Sequence, residues 1–346
     1  MAKKYEETAA LCSRIIGDAK AGKFAPVYLL MGEEPFYPDK ACEAILENAL
    51  APEERDFNQT VYYGLDTDAL TVASEARMYP MMAERRLVVL KEAQMLRSFD
   101  DIALYCQEPM ESTVLVILMR GAKLDKRLSA YKAISKVGVV LESNPLRIDE
   151  MDSWIRRYYS DRGLSISPDA AALLAEYAGT DLGKISIETD KMLKNLPEGT
   201  TSVGIQDIEN NIGITRQWTI FELTKVLSSH DTAKALKIAS RYSQTPKFAM
   251  AAATPMLFNH FQRILKLHAY LLRNPRASQQ DKAAFIGVNP YFMREYDMAL
   301  TVYPLRKCQT IVSMIEDYDY MGKGGDGAIA SQEDLFMELV SKILAV

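Results

Sequence analysis

Four short runs of apolar residues constrain this chain more than any other feature. They are VYLLM at 27–31, LVVL at 87–90, VLVILM at 114–119 and VGVVL at 137–141, each bounded by charged or turn-forming residues. Each has the length of a strand, and none shows the polar alternation of a strand with one wet face, so they read as strands buried on both sides. Between them the apolar residues recur at helical spacing, as they do from Ala41 onward. Strands alternating with helices predict a parallel α/β sheet covered on both faces over residues 1–145.

The pattern changes after Pro145. Residues 146–210 read as a small module of short, capped helices; Ser167 and Pro168 supply an N-cap and a first helical position, and Gly179 a stop. Residues 211–346 read as helices throughout. The expected organisation is therefore an α/β domain at 1–145, a small helical domain at 146–210 and a larger all-helical domain at 211–346.

With 346 residues, 48% hydrophobic and 25% charged, the chain has the composition of an ordinary folded protein of two or three domains. The net charge of −5 is unevenly spread: residues 211–346 carry a net +4 and residues 1–210 a net −9. That balance argues against a generic nucleic-acid binder. No secretion signal and no apolar stretch of membrane-spanning length is visible, so the expected location is the cytoplasm. Cys12, Cys42, Cys106 and Cys308 are too scattered, and His230, His260 and His268 too far apart, for a metal set; ordinary buried thiols are expected.

An α/β sheet whose first strand runs into a glycine and then a helix is the setting of a phosphate-binding loop. That loop needs GxxxxGK followed by Ser or Thr. From Gly32 the chain instead reads GEEPFYPDK, with no second glycine, two carboxylates, two prolines that lack amide donors, and no hydroxyl after Lys40. The next strand ends in Lys91-Glu92 rather than a metal-organising acidic pair, and no nucleophile–base arrangement is visible. The expectation is a sheet built like that of an NTPase but without its catalysis, and with no cofactor.

Five segments in this order resemble one family: YLLMGEEPFYPDK, ARMYPMMAERRLVVLKEA, LVILMRGAKLDKRLSAYKAI, ISPDAAALLAEYAGTDLGKISIETDKMLKNL and WTIFELTKVLSSHDTAKALKIA. The chain resembles the delta subunits of bacterial DNA polymerase III clamp loaders, AAA+ proteins that lack a working phosphate loop. The resemblance implies an AAA+-type α/β domain, a helical lid and a helical collar. It implies a subunit that binds and opens the ring-shaped sliding clamp without hydrolysing ATP. Its implied partners are the beta clamp, the loader ATPases and delta-prime in a hetero-pentamer, and primer–template DNA in the assembled loader. Within the DNA polymerase III holoenzyme it would be grouped with DNA-directed DNA polymerases.

In that family a pair of apolar residues just before a strand engages the clamp. By position the pair is Met81 and Met82, preceded by Tyr79 and Pro80, where relatives usually carry Phe or Leu. Methionine meets the same need, because an unbranched thioether fills irregular apolar pockets. The competing reading places both methionines in the core beneath the sheet. Arg120, Lys123, Lys126 and Arg127 follow a strand end that the resemblance turns toward DNA, where contacts to phosphate need no sequence readout; they read equally as a solvated loop and helix face. Two other functions stay open at this level: an NTPase or nucleotide-dependent transferase with an unusual phosphate loop, and a loader subunit that stabilises the collar without opening the clamp.

Overall fold

The computed structural model describes residues 4–197, 199–211, 215–245, 248–325 and 330–346, and omits the side chains of 4, 209–210 and 215–219. The chain divides into two compact units: residues up to Leu146 with Asp181–Gly183, and Arg147–Thr180 with Lys184–Val346.

The first unit begins with α1 (Lys4–Lys20), β1 (Val27–Gly32), α2 (Phe36–Asn48), the single turn α3 (Arg55–Asn58), β2 (Gln59–Tyr63) and α4 (Ala69–Ala76). It continues through β3 (Arg86–Lys91), α5 (Asp100–Tyr105), β4 (Thr113–Arg120), α6 (Ser129–Val137) and β5 (Val139–Ser143). The strands form one sheet in the order β2-β3-β4-β1-β5. Every neighbouring pair is parallel, with Leu29 of β1 opposite Ile117 and Val140, and Val61 of β2 opposite Val89. This is the parallel α/β sheet, covered on both faces, that the sequence predicts.

The unalternated apolar runs are explained by burial on both faces. Val27, Leu29, Met31, Val88, Leu90, Leu115 and Ile117 pack with Val72, Ala73, Ile102, Tyr105 and Ile134 of α4, α5 and α6. Helices α1 and α2 pack against β1, β4 and β5 to supply the other layer. Burying a Leu, Ile or Val side chain stabilises the fold by roughly 1.5–3 kcal/mol, so the three inner strands dominate the core.

Two sequence expectations need correction here. Besides the four apolar runs the sheet has a strand that the reading missed: QTVYY at 59–63 is β2, an edge strand half-buried but for the exposed Tyr63, and so lacks an apolar run. The fourth apolar run begins too early, because Val137 still belongs to α6 and β5 starts at Val139. Gly138 lies between them because a Cβ there would fall 2.3 Å from the Val27 carbonyl oxygen.

The second unit opens with α7 (Ile148–Ser160), β6 (Ser165–Ile166), α8 (Pro168–Ala178), α9 (Leu182–Leu193), β7 (Ser202–Val203) and α10 (Ile205–Asn211). The two short strands pair in parallel, a ladder too brief to register as an apolar pattern. Ser167 caps α8 by accepting the Ala170 N–H at 3.4 Å, and Gly179 follows that helix at φ 62°. Helices α11 (Thr215–Ser228), α12 (Thr232–Ser243), α13 (Met250–Arg273), α14 (Gln279–Ile286), α15 (Met293–Val302), α16 (Leu305–Gly322) and α17 (Gln332–Ala345) complete the unit. Leu223, Leu257, Phe261, Ile264, Tyr303, Ile311 and Phe336 lie in their common core. Tyr303 is accommodated there because its hydroxyl donates to the Leu227 carbonyl at 2.9 Å. Among the described residues no helix is long and apolar enough to cross a membrane.

Candidate functional site

The carboxyl end of β1 is where an open α/β sheet offers a ligand crevice, and here it is filled from within. Gly32 adopts φ 140°, and a Cβ on it would lie 1.8 Å from the Ser143 carbonyl oxygen of β5. Its N–H donates to the Ala122 carbonyl at 2.9 Å rather than pointing into a free cradle. At the start of α2 the buried Glu34 carboxylate accepts the Phe36 N–H at 3.0 Å. The Asp39 N–H bonds the Pro35 carbonyl, and Pro35 and Pro38 have no N–H to offer. Burial raises the Glu34 carboxyl above its ordinary pKa, although the Phe36 N–H pulls the other way. Lys40 lies 4.5 Å over the Phe36 ring. A helix N-terminus that could bind a phosphate thus holds a carboxylate of its own chain.

The segment 77–85 between α4 and β3 is a different kind of surface. Tyr79, Met81 and Met82 are exposed, Met82 completely, and Pro80 is half-buried. Neither methionine packs beneath the sheet. On a regular strand adjacent side chains would point to opposite faces, but this segment is irregular and Met82 takes the left-handed φ of 52°, which lets both project outward.

Polar anchors hold this apolar loop. Asn58, the fully buried last residue of α3, donates to the Met81 carbonyl at 2.9 Å and accepts the Met81 N–H at 2.6 Å. Its second amide hydrogen goes to the Glu54 carbonyl at 3.1 Å. At the loop's far end Arg86 forms a largely buried ion pair with Glu75 of α4 and reaches the Tyr79 carbonyl at 3.5 Å. Thr60 of β2 also donates to Glu75, at 3.0 Å. Burial would raise the Glu75 carboxyl, but the bonds from Arg86 and Thr60 outweigh it and hold the pKa below its ordinary value.

The four basic residues expected near DNA are each engaged by an acid. Arg120 pairs with Asp39 at 2.7 Å, Lys123 with Glu33 at 2.8 Å, Lys126 with Glu142 at 2.6 Å and Arg127 with Asp125 at 2.6 Å. Four cations face four carboxylates, so the cluster has no net positive charge to attract a phosphate backbone.

The second unit contains a cavity of about 300 Å³ lined by Glu176, His260, Arg263, Glu295 and aromatic side chains. Arg263 pairs with Glu176 at 2.8 Å. His260 Nε2 lies 3.0 Å from Ser228 Oγ, a pairing invisible in the sequence. Ser228 Oγ also lies 3.0 Å from the Thr224 carbonyl, and His260 is buried between the Phe261 and Tyr296 rings. Burial, aided by Arg263, drives the His260 pKa down to about 3, and burial pushes Glu295 up to about 7 against the pull of Lys225. All four cysteines are free and buried, as expected, and burial raises each thiol to about 11, far from reactive. Among the described residues no group of three or more His, Cys, Asp or Glu could hold a metal ion.

Residues 28–144 match the family model described as DNA polymerase III, delta subunit, which spans β1 to β5 and includes the loop at 77–85. The DNA polymerase III subunit delta of Bacillus subtilis (strain 168) is 24% identical over 320 residues, covering 88% of this chain and 90% of that protein. Over residues 28–144 this chain is therefore similar to DNA polymerase III delta subunits. The fold agrees across both units: the solved Bacillus subtilis DNA clamp loader delta protein (YqeN) aligns with a TM-score of 0.66 at 20% identity, over 97% of this chain and 100% of that one.

The residues around this loop that the sequence did not single out are Asn58, Glu75 and Arg86. Arg86 lies within the quoted segment ARMYPMMAERRLVVLKEA but was given no role there, and Asn58 and Glu75 lie in none of the quoted segments. Asn58 precedes a strand that has no apolar run, and Arg86 is the second of two adjacent arginines, so only their partners distinguish them.

Proposed function

We propose that this chain is the clamp-opening subunit of a clamp loader: it binds a sliding clamp through Met81 and Met82, flanked by Tyr79 and Pro80, and props the ring open without hydrolysing ATP itself. The observation that carries this reading is the exposed methionine pair on a loop fixed through its backbone. An apolar pair displayed on a rigid support suits insertion into a pocket of a partner, because burial is gained with little ordering cost. The filled end of β1 supports the second half of the reading, since a carboxylate stands where a phosphate would bind.

In this reading ATP is used by the loader ATPases that join this chain and delta-prime in a pentamer. Residues 146–210 act as the lid and 211–346 as the collar. Arg120, Lys123, Lys126 and Arg127 are secondary contacts to primer–template DNA at most, because each must exchange a carboxylate for a phosphate.

The test uses the purified full-length chain with a purified sliding clamp. The expected results are one-to-one binding, faster release of the clamp from circular DNA, and no magnesium-dependent ATP turnover. Binding without faster release would favour a structural loader subunit. ATP turnover abolished by Lys40→Ala would favour an NTPase with an unusual phosphate loop.

A further inference from the structure

We infer that Asn58 is a positioning residue for clamp binding: its side chain fixes the backbone of Met81 so that the methionine pair is presented in its docking conformation before the clamp arrives. The inference rests on the clamp-contact reading of Met81 and Met82 and adds how that contact is made ready.

The carboxamide of Asn58 meets Met81 as a neighbouring strand would, donating to its carbonyl at 2.9 Å and accepting its N–H at 2.6 Å. Both backbone groups of an exposed residue are thereby tied to a side chain that is itself fully buried. The next residue, Met82, has a positive φ of 52°, a conformation that non-glycine residues leave readily unless the surroundings impose it. Arg86, bonded to the Tyr79 carbonyl at 3.5 Å, restrains the chain on the other side of Met81. These are contacts to backbone atoms, and the side chains of Tyr79, Met81 and Met82 remain exposed. The loop is held rigid without spending the apolar surface that it presents.

A bland role is available, since Asn58 also closes α3 through the Glu54 carbonyl at 3.1 Å. The two roles differ in kinetics. If Asn58 only holds the competent conformation, its loss lowers the fraction of molecules ready to bind and slows association, leaving the finished contact and its dissociation rate little changed. Loss of a contact residue acts mainly on dissociation.

The experiment measures association and dissociation rates of the full-length chain on immobilised sliding clamp, together with amide hydrogen exchange at Met81. The variants are Asn58→Ala, Asn58→Asp and, as reference, Met81→Ala with Met82→Ala. Asn58→Asp is isosteric and keeps the acceptor for the Met81 N–H, so it serves if the alanine variant fails to fold. The expected result for Asn58→Ala is faster exchange at Met81 with the sheet still protected, association slowed by roughly tenfold or more, and dissociation within about twofold of the parent. Asn58→Asp falls between the two. Unchanged association, or a loss carried wholly by dissociation, overturns the role of Asn58 while the reference variant still reports on the contact. If the double methionine variant binds as well as the parent, the clamp-contact reading fails and takes this inference with it.

Discussion

Asn58 and Met81 lie 23 positions apart in the chain and are joined by two reciprocal hydrogen bonds, N–H to Oδ1 at 2.6 Å and Nδ2 to the carbonyl at 2.9 Å. One residue is fully buried and the other largely exposed, so the pair ties a surface loop to the folded interior.

Because Met81 and Met82 are exposed, truncating them should separate binding from folding. Burying a methionine in an apolar pocket is worth roughly 1.5–3 kcal/mol, so Met81→Ala with Met82→Ala is expected to weaken clamp binding by about a hundredfold or more. The melting temperature should stay within about 2 °C of the parent. Titration calorimetry and a thermal scan on the same preparation check both; a large loss of stability with clamp binding retained would reject the exposed-wedge reading.

Met82→Gly should move the same two quantities in opposite directions. Glycine relieves the cost of the left-handed backbone, about 1 kcal/mol, while removing the side chain that docks. A rise in the urea midpoint is expected together with weaker clamp binding. A fall in both would show that the Met82 side chain stabilises the free protein.

Glu75→Ala leaves Arg86 without its buried partner. Breaking such a pair costs roughly 3–5 kcal/mol, so the first unit should unfold at markedly lower urea. The folded carboxyl has a lowered pKa, so its contribution is present above the unfolded value and is lost as pH falls through the folded one. Stability curves of parent and variant should therefore converge in acid. Curves that stay parallel down to pH 3 would mean that the pair contributes little.

In the second unit Glu295 and His260 work against each other. Glu295 titrates at about 7, above the 4.5 of a free carboxyl, so between those values the folded state keeps a proton that the unfolded state has lost. Stability attributable to it falls as pH rises through that window, by on the order of 3 kcal/mol in all. His260 titrates at about 3 rather than 6.5, and its contribution grows as pH rises between those values. The parent should show a shallow dependence from pH 4.5 to 6.5 and then a decline. Glu295→Gln should gain stability up to about pH 6.5 and level off, and urea midpoints across pH that match the parent's shape would disprove the Glu295 assignment.

Lys123 and Lys126 are already neutralised by Glu33 and Glu142. Each uncompensated phosphate contact contributes about one unit to the logarithmic salt dependence of DNA affinity. Replacing both lysines with alanine in an assembled loader should therefore change that slope by well under two units. A drop of about two would establish them as direct phosphate contacts.

The sequence alone determined the parallel α/β class, because strands buried on both faces must be apolar throughout and cannot alternate. That residues 32–40 lack the second glycine, two amide donors and the hydroxyl of a phosphate-binding loop is also read from the sequence, since these are local facts. The methionine pair was singled out through family resemblance, and Pro80 beside it implied that at least one of the two is exposed; that both are exposed was not legible. What only the tertiary structure decided is how that pair is supported. β2 is an edge strand whose half-buried QTVYY carries no periodic signal. Yet the segment that includes it places Asn58 against Met81 and Thr60 against Glu75. The ion pairs of Arg120, Lys123, Lys126 and Arg127 were likewise hidden: except for Arg127 with Asp125, each joins segments far apart in the chain. Charge and hydrogen-bond partners are matched by proximity in space, which depends on the register of a folded sheet, whereas apolar patterning is imposed residue by residue and can be read before the chain folds.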